Sequence, residues 1–275
     1  MFEHSQQIPT ASEYPTTWKR PPFIRSPWLR YGLYLLALCY LVIGFNTVEI
    51  NWTRVSEGIP RGWIFVSGFL APDFLSRGGD IWQGIKESLT MTLTSTIAGI
   101  ALSIPIGVGA ARNLAPMPIY LTCRSIIAIT RSFQEIIIAI LFVAMVGFGP
   151  LAGFLTLTLA TIGFLAKLLA EDIEDIDESQ TEAIRSTGAS WLQLINYAVQ
   201  PQVMPRLIGL SMYRLDINFR ESAVIGIVGA GGIGATLNTA IDRYEFDSAA
   251  AILLIIIVIV LLSEYSSGYI RNRVQ

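Results

Sequence analysis

Residues 182–201 read EAIRSTGASWLQLINYAVQP. This stretch of mixed polarity, with a glycine inside it and a proline at its end, sits between long apolar runs. It is too polar to cross a bilayer, so it marks a break in a chain that otherwise does. The apolar positions Ala183, Ile184, Thr187 (through its methyl), Trp191, Leu194, Ile195 and Ala198 recur at i, i+4, i+8, the stripe of an amphipathic helix. Glu182, Arg185, Ser186, Ser190, Gln193 and Asn196 fill the other face. One helix resting on the membrane surface satisfies this pattern everywhere except at Gly188, which costs about 1 kcal/mol against alanine inside a helix. A glycine there permits a sharp bend or the close approach of another backbone.

Around this stretch the chain is apolar. Of its 275 residues 52% are hydrophobic and 15% charged, against about 25% charged in a soluble domain. The apolar runs fall at about 30–46, 88–110, 119–147, 150–170, 204–228 and 248–270. A helix needs about 20 mostly apolar residues to cross roughly 30 Å of hydrocarbon, so the expected fold class is an all-α polytopic membrane protein with about six transmembrane helices. The third run is long, which predicts a tilt, a kink or a broken turn. Residues 1–28 read as a cytoplasmic N-terminal tail, and 29–275 as the transmembrane domain. The first apolar run has no small-residue cleavage site after it and reads as a retained span. Lys19, Arg20, Arg25 and Arg30 place the N-terminus inside by the positive-inside rule, and six spans return Arg271 and Arg273 to the same side. Arg112, in the short 111–118 connection, agrees. Segment 62–75 is apolar but too short to cross, and is expected in the outer interface.

Several function classes drop out. A net charge of −2 offers no nucleic-acid footprint, and His4, the single histidine, lies in the polar tail, which argues against histidine-based catalysis or metal binding. No GxxxxGK[ST] loop occurs, so the chain has no such cradle for ATP phosphates. Gly229, Gly231 and Gly234 satisfy GxGxxG, but an apolar helical run precedes them and a span follows, where a dinucleotide site requires a strand and a βαβ unit. With Gly232 they read as a tight turn at the outer end of the fifth span, serving either close packing or a gate.

Charges within the spans need protein or water around them, since one at the bilayer centre costs roughly 2.5–3.5 kcal/mol on insertion scales. Arg124, Arg131 and Glu135 fall in one narrow arc of the third run. In the fifth, Arg214, Asn218 and Glu221 share a face, and Asp216 and Arg220 form an i, i+4 pair on the opposite one. They are either structural ion pairs or the lining of a polar pathway. Arginines in a path would suit a small oxyanion, because guanidinium matches phosphate and phosphonate geometry, although the nearby carboxylates oppose it.

The 182–201 stretch resembles the EAA loop of ABC-importer permeases, which runs EAA, three residues, G, nine residues, I, one residue, LP. Glu182, Ala183, Gly188 and Pro201 stand at the matching offsets. Ile184, Ala198 and Gln200 depart from it. LAPDF (70–74), ESLTMTLTST (87–96), RSFQE (131–135) and ESAVIGIVGAGGIG (221–234) are similar to the phosphonate/phosphite branch of these permeases. The resemblance implies a type I ABC-importer permease fold like that of the methionine importers, in a bacterial inner membrane. It also implies that the 171–201 loop couples to a cytoplasmic ABC ATPase dimer through Glu182, Ala183, Gly188, Trp191 and Pro201. ATP and Mg would sit on that partner, with no cofactor on this chain and no catalytic residue in it. A periplasmic substrate-binding protein would deliver a phosphonate, phosphite or related oxyanion, and a second copy would supply the second loop, symmetric pairing being the default. The alternatives are an importer of another small solute such as methionine, and a secondary transporter, which would need its own coupling-ion site and an internal repeat. An intramembrane enzyme lacks the histidine, metal motif or GxSxG serine it would need.

Overall fold

The computed structural model describes residues 24, 26–47 and 51–274, with side chains placed as far as 268 except at 46. His4, Trp18, Lys19, Arg20 and Arg25 lie outside the described residues, as do the side chains of Arg271 and Arg273. Among the described residues the regular structure is helical throughout. The chain divides into two compact units, Met1–Pro60 and Arg61–Gln275. The first holds α1 (Pro27–Thr47), apolar enough to span a bilayer, and the start of α2 (Trp52–Gly68). Segment 62–75 is therefore not a short piece of its own: residues 62–68 finish a helix begun at Trp52, which carries Pro60 within it.

The second unit continues with α3 (Gly78–Gly109), α4 (Met117–Ser132), α5 (Glu135–Val146) and α6 (Pro150–Glu174). There follow α7 (Glu178–Ser186), α8 (Trp191–Leu194), a π turn (Ile195–Val199), α9 (Gln200–Ile227), α10 (Gly232–Asp242) and α11 (Phe246–Val274). The second span starts ten residues before the expected 88. Asp80, Lys86 and Glu87 interrupt the apolar run but not the helix, and Gln83 bonds Glu87 one turn on at 3.1 Å. The long 119–147 run is broken: α4 and α5 pass the length and apolarity of a span only together, and they meet at 94°. Phe133 and Gln134 are extended between them (ψ 141° and 144°), and the Gln134 carbonyl accepts the Ile137 and Ile138 N–H groups that start α5.

Helix α6 is the core of this unit, with Leu157, Thr161, Leu165, Ala166 and Leu169 buried along it. It packs lengthwise on α3 because α3 presents glycines to it: a Cβ at Gly107 would lie 2.8 Å from Leu169, and one at Gly99 would collide with Thr161. Small residues at helix contacts supply such close approach where water provides no hydrophobic drive. The buried hydroxyls of Thr156 and Thr161 donate to the carbonyls four residues back, at 2.8 and 2.6 Å, which satisfies them within hydrocarbon.

Candidate coupling loop and intramembrane charge network

The 171–201 segment begins with the last turn of α6. Asp177 then caps α7, its carboxylate accepting the Ser179 N–H at 2.9 Å. Bonds from the Ser179 side chain and backbone hold the Asp177 carboxyl below its usual range. The stripe at 182–201 is not one helix. It breaks after Ser186, where Gly188 takes φ +78° and donates its N–H to the Arg185 carbonyl at 3.0 Å. A capping box restarts it, with the Ser190 N–H donating to the Gln193 side chain at 2.8 Å. Glu182 is thus in the middle of α7 and not at its N-terminus; Glu178 holds the first-turn position that the helix dipole favours. The π turn follows because Pro201 has no N–H for the carbonyl four residues back and its ring would crowd it.

Glu182, Glu178 and Arg185 border a cavity of about 130 Å³ with Asn113 and Leu114 of the α3–α4 connection. Ala183 and Trp191 are exposed, and the Trp191 indole N–H donates to the Leu114 carbonyl at 3.2 Å. That connection is pinned in turn. Asn113 donates to the Ile173 carbonyl at 2.7 Å, and the Arg112 backbone N–H to Glu174 at 2.8 Å. Arg124 also grips Glu174, one nitrogen reaching both oxygens at 2.8 and 2.9 Å, while its Nε donates to the Ala110 carbonyl. Arg124 therefore pairs at the loop end of α6, not with Arg131 or Glu135. Across the loop, the Asp177 N–H donates to Gln202 of α9 at 3.0 Å. No sequence pattern singles out Glu174, Asn113 or Gln202; Glu174 lies among Glu171, Asp172 and Asp175, and nothing local distinguishes it from them.

The other charges gather around α9. Arg214, 3% exposed, lies 3.1 Å from Glu221 and 3.7 Å from Glu135, and its guanidinium sits over the Phe164 ring. Asn218 is fully buried beneath it and donates to Thr96 of α3 at 2.8 Å and to Thr161 of α6 at 2.9 Å. Thr161 also accepts from the Arg214 Nε at 3.3 Å, so one asparagine and one arginine tie three helices. Asp216 and Arg220 pair separately at 2.6 Å. Arg131 and Glu135 flank the α4–α5 break and line one cavity with Arg214.

At the other end of α9, Gly229, Gly231 and Gly232 adopt φ of +97°, +78° and +73°. Residues of α3 cap α10 from outside it: Glu87 accepts the Gly232 N–H at 3.2 Å and Ser88 the Ile233 N–H at 2.9 Å. Gly234 rests on Gly226 and the Ala223 carbonyl with no room for a side chain.

Residues 103–275, which contain the loop, the charges and the glycine turn, match the family described as the binding-protein-dependent transport system inner membrane component. The chain belongs to this family. The permease is 37% identical over 243 residues to the phosphite transport system permease protein of Stutzerimonas stutzeri, covering 88% of the permease and 86% of that protein. It is 40% identical over 258 residues to the phosphate-import permease protein of Mycolicibacterium smegmatis, covering 91% of the permease but 47% of that relative, so it spans about half that protein's length. Its fold matches a chain of the MetNI methionine ABC transporter in an inward-facing conformation, with a TM-score of 0.59 at 24% identity over 78% of the permease and 98% of that chain.

Proposed function

We propose that this permease is the membrane subunit of an ATP-driven importer for a small phosphorus oxyanion, a phosphonate or phosphite. The observation that carries the coupling part is the anchoring of the α7–α8 loop. Trp191 holds it to the α3–α4 connection, Asp177 to α9, and Glu174 joins α6 to that connection and to α4. A push on such a loop moves spans as bodies, which is how hinge and shear transitions carry force. In this reading α7 and α8 seat on a cytoplasmic ATPase dimer that binds ATP and Mg, both termini are cytoplasmic, and a second copy of the permease supplies the second loop. A substrate-binding protein delivers the anion at the glycine-turn end. The relatives named as phosphite and phosphate permeases support the substrate class.

The experiment is Gly188→Trp in the reconstituted complex. An added Cβ at Gly188 meets nothing within 4 Å, so the substitution leaves the spans alone, while φ +78° makes the loop intolerant of it. The permease should insert normally but lose phosphite uptake and the stimulation of ATPase activity by the binding protein. Survival of both would refute the coupling role, and uptake of methionine in place of phosphite by the unaltered complex would refute the substrate class.

A further inference from the structure

The break between α4 and α5 opens a cavity of about 370 Å³ against α6 and α9, lined by Arg131, Ser132, Gln134, Glu135, Phe164 and Arg214. That is room for a tetrahedral oxyanion together with water, a single water needing about 10–15 Å³ on the same measure. Gly163 of α6 sets one edge of it: with no side chain there, Thr130 and the stem of Arg131 lie directly against α6.

The two arginines differ. Arg214 is buried and already engaged, hydrogen-bonded by Glu221 at 3.1 Å and by Thr161 at 3.3 Å. Its contact with Glu135 is longer, 3.7 Å, and the weakest of the three. Arg131 is exposed on the cavity wall, and among the described residues no carboxylate lies within ion-pair distance of it. Glu135 is the carboxylate on the cavity wall. With Glu135 turned away from Arg214, the guanidiniums of Arg131 and Arg214, the Ser132 hydroxyl and the Gln134 amide are among the polar groups left on the wall.

We propose that this cavity binds the oxyanion in transit, with Arg131 and Arg214 as its cationic ligands and the Glu135 carboxylate as an internal competitor that the anion displaces. The proposal rests on the reading above that the permease moves a phosphorus oxyanion. The geometry suits transport: guanidinium donors recognise the tetrahedral oxyanion, and the return of Glu135 to Arg214 expels it, so the site never holds its cargo tightly.

The test measures binding of radiolabelled phosphite to the permease–ATPase complex in nanodiscs without the binding protein, with ATPase co-purification as the check on assembly. Glu135→Gln removes the competing charge and should bind phosphite about tenfold tighter, and Arg131→Gln about tenfold weaker, the scale of one charge-assisted hydrogen bond. Uptake should fall in both, through slow release in the first and poor capture in the second. Arg131 is exposed, so its variant decides the matter even where Glu135→Gln fails to assemble. Wild-type binding in Arg131→Gln, with uptake unchanged, overturns the cavity site and leaves the importer reading standing. An unaltered complex that transports no phosphorus oxyanion overturns the substrate reading, and this proposal with it.

Discussion

Asn218 shows how one side chain organises a membrane core. Its amide nitrogen donates to hydroxyls on two other helices, and it has no exposure. Interhelical hydrogen bonds of this kind average about 0.6 kcal/mol in membranes, and truncation also leaves a void and the Thr96 hydroxyl without its donor, while Thr161 keeps Arg214. Asn218→Ala should therefore destabilise by about 1–3 kcal/mol, lowering the thermal midpoint of the detergent-solubilised permease by several degrees in a tryptophan-fluorescence melt. An unchanged midpoint would mean that the network contributes nothing to stability. The sequence placed Asn218 on one face with Arg214 and Glu221 but named no partner for it. Thr96 lies 122 residues away along the chain, in a run of serines and threonines where periodicity gives each hydroxyl equal claim.

Among the elements, α7 owes its start to Asp177. A carboxyl held below its usual range stabilises the folded helix at pH values above its unfolded pKa of about 3.9, and that stabilisation is lost as pH falls through the lower, folded value. Hydrogen exchange at residues 178–181 should therefore be slow near neutrality, once corrected for intrinsic rates, and lose protection below about pH 4. Asp177→Asn should cap without that pH dependence, because asparagine is as good a cap. Identical pH profiles for the two would exclude the carboxylate as the cause. Element boundaries were legible in the sequence where a glycine or proline wrote them. Gly188 marked a bend, although the stripe of apolar residues running past it read as one continuous helix. The 94° break after Ser132 carried no such mark: Ser132, Phe133 and Gln134 include neither a glycine nor a proline.

In the second unit, the loop end of the bundle is joined through Glu174, which accepts from the Arg124 side chain and the Arg112 backbone. In the proposed importer Glu174→Ala should leave the intrinsic ATPase rate of the complex unchanged and cut its stimulation by the binding protein severalfold, since α6, α4 and the α3–α4 connection would no longer move together. Equal stimulation in the variant would show that Glu174 carries no force. The family and the span count were legible because hydropathy and the loop motif are local properties. The contacts that weld the loop to the spans join residues 25 to 77 positions apart, and no local pattern records them. The π turn between α8 and α9 adds a consequence of its own. A wide turn holds one residue more than an α turn of the same rise, so Ile195–Val199 keeps a residue in reserve. A one-codon deletion there would close the turn to ordinary pitch without severing the helix, and would leave α8 in nearly the same phase against α9, because a turn of either width is one full rotation. Trp191 would still aim at Leu114, whereas the same deletion inside α9 would turn everything before it by about 100°; the wide turn absorbs a change of length that the helix beside it converts into a change of direction.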